Sequence, residues 1–179
     1  MNNYKTINSF NNIKIVENSL IICDIDETLL HFKNWDSNFW INNYNHYLKI
    51  YNDKEKAKNK TDIEYEKYIY SIKPTHNDKN GFFEMTNKIK KSNSKLIFVT
   101  ARDLEAKNFT HNNLKKLKVN YKKYPVFFSA LTPKGEFIKH NFNLSSFNKI
   151  IFIDDLEYNI NSVTNEFGNM IRCYKYIMN

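Results

Sequence analysis

The stretch Leu20-Ile21-Ile22-Cys23-Asp24-Ile25-Asp26-Glu27-Thr28 decides how the chain is read. Its first four residues are apolar without alternation, which suits a strand buried on both faces in a parallel sheet. The run stops on two aspartates spaced two apart, with a threonine two further on. In parallel α/β sheets the C-terminal edge of the strands is where ligands bind. Chance alone gives D-x-D-x-T in roughly one in twenty-five chains of this length, taking each residue type at ~6%. The plain alternative is an Asx-type turn that closes the strand.

Outward from this stretch, residues 96–99, 126–128 and 150–153 form similar apolar runs, and 170–174 a weaker one. Between them, residues 81–91, 103–117, 134–141 and 157–167 carry helical spacing. Strands alternating with helices predict an α/β fold, a Rossmann-like three-layer sandwich with a central parallel sheet and right-handed crossovers. Residues 34–73 break the rhythm with two helical patterns, 35–51 and 61–71, joined by the charged stretch 53–60. The expected organisation is therefore a catalytic core of residues 1–33 and 74–179 with a small helical cap insertion at 34–73.

Composition narrows the classes. A length of 179 residues suits one domain with a modest insertion, and 41% hydrophobic residues suffice for a full core. Only three glycines are present, which excludes phosphate loops built from glycine runs. Heavy use of Asn, Lys, Ile and Tyr reads as an AT-rich genome signature. The net charge of +8 favours acidic partners, although most lysines are interleaved with Asp, Glu and Asn. Cys23 and Cys173 both lie in apolar runs, without zinc-ligand spacing, and read as reduced core thiols. Residues 1–18 are polar and lack a signal-peptide stretch, and no segment is apolar enough to span a membrane. The expected location is cytoplasmic, with no membrane partner; oligomeric state is left open.

The other strand ends carry chemistry too. Thr100-Ala101-Arg102 follows the second run, where a hydroxyl and an adjacent backbone N–H can bond a phosphate oxygen, though threonine also caps helices here. Lys134-Gly135 opens a helix after the third run, offering a point charge for phosphate and a backbone that permits close approach. Asp154-Asp155 ends the fourth run. Four acids on one edge repel each other, and a divalent cation such as Mg²⁺ removes that repulsion. N-capping of the next helix by Asp155 is compatible with this.

Asp24, Thr100, Lys134 and Asp154 occur in that order, each at the end of a predicted strand. With these motifs the chain resembles hydrolases of the haloacid dehalogenase (HAD) superfamily, over nearly its whole length. The resemblance implies the HAD fold with a cap and a phosphoric monoester hydrolase. It makes Asp24 the nucleophile, forming an aspartyl-phosphate, and Asp26 the acid and base. Thr100, Ala101 and Lys134 would hold phosphoryl oxygens, Thr28 would brace the loop, and Arg102 would touch substrate. Mg²⁺ would be bound by Asp24, the Asp26 carbonyl and Asp154, with Asp155 on a metal-bound water. An acid at position 26 points to phosphate chemistry over dehalogenation.

The segment Asp24-Ile25-Asp26-Glu27-Thr28-Leu29-Leu30-His31 is also similar to phosphatases of the RNA polymerase C-terminal tail, while Thr100–Asp103 and Asp154–Glu157 depart from them. The expected substrate is a small phosphorylated metabolite or nucleotide. Nucleic-acid ends or phosphoproteins are the alternative partners, and a non-catalytic binding module of the same fold is a third reading. Lys115, Lys116, Lys118, Lys122 and Lys123 cluster where they can follow a phosphate backbone, or merely form a solvated helix end. Trp35, Phe39, Trp40, Tyr44 and Tyr47 in the insertion can stack on a base, or form the insertion's own core.

Overall fold

The computed structural model describes residues 4–33, 38–130 and 132–178. Its contacts divide the chain into two compact units, Met1–His31 with His76–Asn179, and Phe32–Thr75.

The first unit is built on six parallel strands. These are β1 (Tyr4–Ile7), β2 (Ser19–Cys23), β5 (Lys95–Thr100), β6 (Val126–Phe128), β7 (Lys149–Asp154) and β8 (Ile171–Tyr176), in the order β1-β8-β7-β2-β5-β6. Two short strands, β3 (Leu30–His31) and β4 (Thr75–His76), form a separate pair. β2 is central and every one of its residues is buried, as its unbroken apolar run requires. Helices α3 (Lys79–Lys91), α4 (Lys107–Lys116), α5 (Lys134–Asn141) and α6 (Glu157–Phe167) connect the strands. The result is a three-layer α/β fold.

One sheet face carries Leu20, Ile22, Ile97, Val99, Ile150 and Phe152, packed with Ile138 of α5 and Ile160 and Val163 of α6. On the other face Phe82 of α3 stacks on Phe98, 6.4 Å between centroids, and meets Phe10 edge-on at 5.7 Å. Phe10 stacks in turn on Tyr176 at 5.0 Å. Asp78 fixes that layer. It caps α3 through Gly81 N at 2.8 Å and accepts from Ser9 Oγ at 2.7 Å and Phe10 N at 3.0 Å. A Cβ on Gly81 would lie 1.9 Å from the Asp78 carboxylate, so any other residue there would displace the Asp78 side chain.

The structure extends the expected elements in two places. β1 is an added edge strand; only Ile7 of its four residues is buried, so it shows no apolar run. Residues 53–60, expected as a connector, instead begin a helix. α2 (Lys54–Ser71) is capped by Asp53, whose carboxylate accepts from Glu55 N and Lys56 N. Lys58–Asp62 and Lys60–Glu64 pairs, at 2.6 and 2.7 Å, support its exposed first turns.

In the second unit α1 (Phe39–Tyr51) pairs with α2 through aromatics. Phe39 stacks on Tyr68 at 4.0 Å, and Trp40 Nε1 donates to Asp62 at 2.8 Å. Trp40 also stacks on Tyr44 at 5.1 Å, and Tyr47 on Tyr51 at 5.9 Å. The aromatic stripe thus packs within its own unit; Trp35 lies outside the described residues. Among the described residues no helix is long and apolar enough to cross a membrane.

Candidate active site

Strand register assembles the site. Cys23 of β2 aligns with Ile153 of β7 and with Phe98 of β5. The next residues along, Asp24 and Asp154, are therefore neighbours on the C-terminal edge, and Asp24 N donates to Ile153 O at 2.9 Å. Thr100 ends β5 beside them.

Lys134, at the first position of α5, is almost wholly buried, and its ammonium bridges the two carboxylates. Nζ donates to Asp24 Oδ1 and, at 2.7 Å, to Asp154 Oδ2. Burial opposes the charge on Lys134, but Asp24 and Asp154 more than offset it and hold its pKa above the ordinary value. Burial in turn pushes Asp24 above the usual carboxylate range, because one ammonium is shared between two acids.

Asp24, Asp154 and Asp155 each offer an oxygen within 4.8 Å of the others. Three carboxylates against one ammonium leave the fully ionised cluster two charges negative. Asp155 accordingly sits at about 6, raised first by burial and then by Asp154. A hard dication with oxygen ligands fits this donor set and this charge.

The donors are unequal. Asp154 Oδ1 accepts from Leu156 N at 2.9 Å and Asn159 Nδ2 at 3.0 Å, and Oδ2 accepts from Lys134 and from Asn159 Nδ2 at 3.1 Å. Three donors thus hold that carboxylate, one of them the Asn159 amide bridging both oxygens. Asp155 accepts from Thr28 Oγ1 at 3.1 Å through Oδ1 and is only partly buried. Thr28 thus ties the loop after β2 to the end of β7.

That loop is sharply folded. Glu27 takes a left-handed φ of 55°, and the amides of Leu29 and Leu30 both donate to Ile25 O at 2.9 Å. Asn77 Nδ2 holds the turn by donating to Glu27 O at 2.7 Å and Thr28 O at 3.0 Å.

Arg102 is placed differently from its expected role on substrate. Its guanidinium grips Asp26, Nε to Oδ2 at 2.9 Å and an Nη to Oδ1 at 2.5 Å. The other Nη donates to Thr110 Oγ1 at 2.9 Å, and the group lies 4.9 Å over the Phe109 ring. A planar fork thus fixes the orientation of the Asp26 carboxylate. Thr100 is buried; its hydroxyl accepts from Arg102 N at 3.2 Å and lies 3.4 Å from Asp26 Oδ2. Ala101 is exposed in the turn between them.

Gly135 makes its close approach to protein. A Cβ there would lie 2.2 Å from Ser162 O on α6, and its N–H donates to Ser162 Oγ at 3.0 Å. Asn159 and Asn77 were not expected at the site. Asn159 had a readable signal, since a side chain five residues after Asp154 falls in the first turn of the next helix. The lysines at 115–123 are not brought here, because α4 runs from the end of β5 back to the start of β6, on the N-terminal edge. Cys23 is fully buried, and burial first of all pushes its thiol pKa up, so it is a core thiol.

A Thermotoga maritima protein assigned as a beta-phosphoglucomutase has a similar structure, with TM-score 0.55 and 14% identity over 90% of this chain and 87% of that one. A chain of the Pnkp1/Rnl/Hen1 complex is also similar, with TM-score 0.53 and 13% identity over 90% of this chain. The match spans 48% of that longer chain. At such identities the likeness is one of fold, and it is at this level that the resemblance to HAD hydrolases stands. No curated protein matches the sequence. The family model described as Protein of unknown function (DUF2608) matches residues 2–126 and 123–170, and to that family the chain belongs.

Proposed function

We propose that the chain is a magnesium-dependent phosphoric monoester hydrolase of HAD type, acting on a small phosphorylated metabolite or nucleotide through an aspartyl-phosphate on Asp24. The observation that carries this reading is the buried Asp24 carboxylate, bonded to Lys134 through one oxygen, with Asp155 beside it and Asp26 two residues on.

In the first step Asp24 Oδ2, the oxygen not bonded to Lys134, attacks phosphorus. The ester P–O bond breaks, and the leaving oxygen takes a proton from Asp26. In the second step water attacks the phosphorus of the aspartyl-phosphate and gives its proton to Asp26. Phosphate leaves and Asp24 is regenerated. Lys134 stays charged and faces the negative charge that builds up during transfer. Asp24, Asp154, Asp155 and the Asp26 carbonyl would hold Mg²⁺, which would supply Lewis-acid stabilisation of the phosphoryl oxygens.

The test is hydrolysis of an aryl phosphate and of a panel of sugar phosphates and nucleotides, with Mg²⁺ and with excess EDTA. Turnover that needs the metal and vanishes in Asp24→Asn supports the reading. Equal turnover in EDTA, or in the variant, sinks it.

A further inference from the structure

Arg102 has binding capacity beyond its grip on Asp26. A guanidinium carries five N–H donors in one plane. Asp26 takes two of them, from Nε and one Nη, and Thr110 takes one from the other Nη. Among the described residues nothing accepts from the remaining two, one on each Nη. The group is nonetheless firmly seated. Its side chain is 11% exposed and lies over the Phe109 ring, and its backbone N–H donates to Thr100 Oγ1. Asp26 is the open partner, 40% exposed, so the pair meets solvent from its acid side. The neighbouring acid, Asp103, accepts from Ala106 N at 3.0 Å instead. Asp26 is thus the one acid that pairs with the guanidinium among the described residues.

The two cations at this edge of the sheet serve different parts of a substrate. Lys134 is bonded to Asp24 and Asp154, where the phosphoryl group is transferred. Arg102 is bonded to Asp26, whose proton goes to the leaving oxygen. Arg102 therefore stands on the leaving-group side. While Asp26 holds that proton it carries no charge, and a largely buried guanidinium is left without its counter-ion, which is costly. A second anion on the leaving group supplies the missing charge and accepts from the two unused N–H groups. The leaving oxygen and the guanidinium each lie one hydrogen bond from Asp26, so about 5 Å separates them, the span of two or three carbons.

We propose that Arg102 forms a subsite for a second anionic group, a carboxylate or a phosphate, on the leaving group of the substrate. The substrate is then a phosphate ester of a short hydroxy acid, or a bisphosphate, and not the ester of a neutral alcohol. The planar fork suits either anion. This subsite rests on the hydrolase reading of Asp24 and Asp26, and it narrows the substrate within that reading.

The test is kcat/KM with Mg²⁺ for two matched pairs. One is 3-phosphooxypropionate against its amide; the other is propane-1,3-diol bisphosphate against 3-hydroxypropyl phosphate. Charge-assisted hydrogen bonds to the second anion should favour the anionic member by about 10- to 100-fold. The pair that shows the preference tells a carboxylate subsite from a phosphate subsite. In Arg102→Ala and Arg102→Gln the ratio should fall to about one, whereas Arg102→Lys, which keeps the charge without the fork, should keep part of it. A merely structural role for Arg102 would lower both members of a pair alike and leave the ratio unchanged. A wild-type ratio near one in both pairs, or a preference that survives in Arg102→Ala, overturns the subsite. Aryl phosphate turnover in the same preparation then leaves the hydrolase reading standing. Absence of turnover on the aryl phosphate as well brings both down together.

Discussion

Gly135→Ala sets two effects of opposite sign against each other. Alanine is the better helix former by up to ~1 kcal/mol, so local propensity alone predicts a more stable protein. Packing predicts the reverse. The new Cβ would stand 2.2 Å from Ser162 O, whereas ordinary contact begins at 3.4 Å. The obstacle is helix backbone, so α5 and α6 must part by about 1 Å within a close-packed layer. Overpacking of this kind costs about 1–3 kcal/mol, and after a propensity gain of about 1 kcal/mol a net loss of up to about 2 kcal/mol remains. The displacement reaches the chemistry because Lys134 is the adjacent residue and its ammonium joins Asp24 to Asp154. Misplacement by about 1 Å can lower a rate on the order of 100-fold. Urea denaturation measures the first effect and aryl phosphate turnover the second. A variant as stable and as active as the parent would refute both the packing argument and the role given to α5 in holding Lys134.

Three further outcomes follow from the same geometry. Asp155 has its pKa raised to about 6, so the metal-free fold binds a proton there that the unfolded chain, at the usual ~3.9, has already lost. Its contribution to stability is therefore present at low pH and declines as pH rises from about 4 through about 6. Mg²⁺ should raise Tm more at pH 7.5 than at pH 5; a metal shift independent of pH would remove Asp155 from the ligand set. Arg102→Ala should free the Asp26 carboxylate to rotate and slow alkyl phosphates more than p-nitrophenyl phosphate, whose departure needs no acid. Equal losses on both would make Arg102 merely structural. Asp78→Ala removes the α3 cap and the bonds to Ser9 and Phe10, and should cost about 2–3 kcal/mol in urea denaturation. A loss under about half a kcal/mol, the level of an ordinary surface change, would contradict this.

The central sheet was legible because strands buried on both faces must be continuous apolar runs. The run at 150–153 is the interior of Lys149–Asp154, and helices at 134–141 and 157–167 have the expected bounds. β1 escaped notice because an edge strand with one buried residue carries no such run. The start of α2 was hidden for the opposite reason. Its first turns are held by charge pairs and a cap, with Ala57 the only buried apolar residue in α2, so hydrophobic periodicity has nothing to register. The meeting of Asp24, Thr100, Lys134 and Asp154 was readable because strand order and register alone bring strand ends together. Which partner each side chain takes was not. Arg102 turning to Asp26, and Asn159 bonding to Asp154, depend on side-chain directions that spacing does not encode.

The central claim is that Asp24 carries the phosphoryl group. The direct measurement is an acid quench during steady turnover with Mg²⁺, followed by peptide mass mapping. The account predicts a phosphoryl adduct on the peptide bearing Asp24, absent in Asp24→Asn and absent in EDTA. An adduct on another carboxylate, or undiminished turnover in Asp24→Asn, would contradict it.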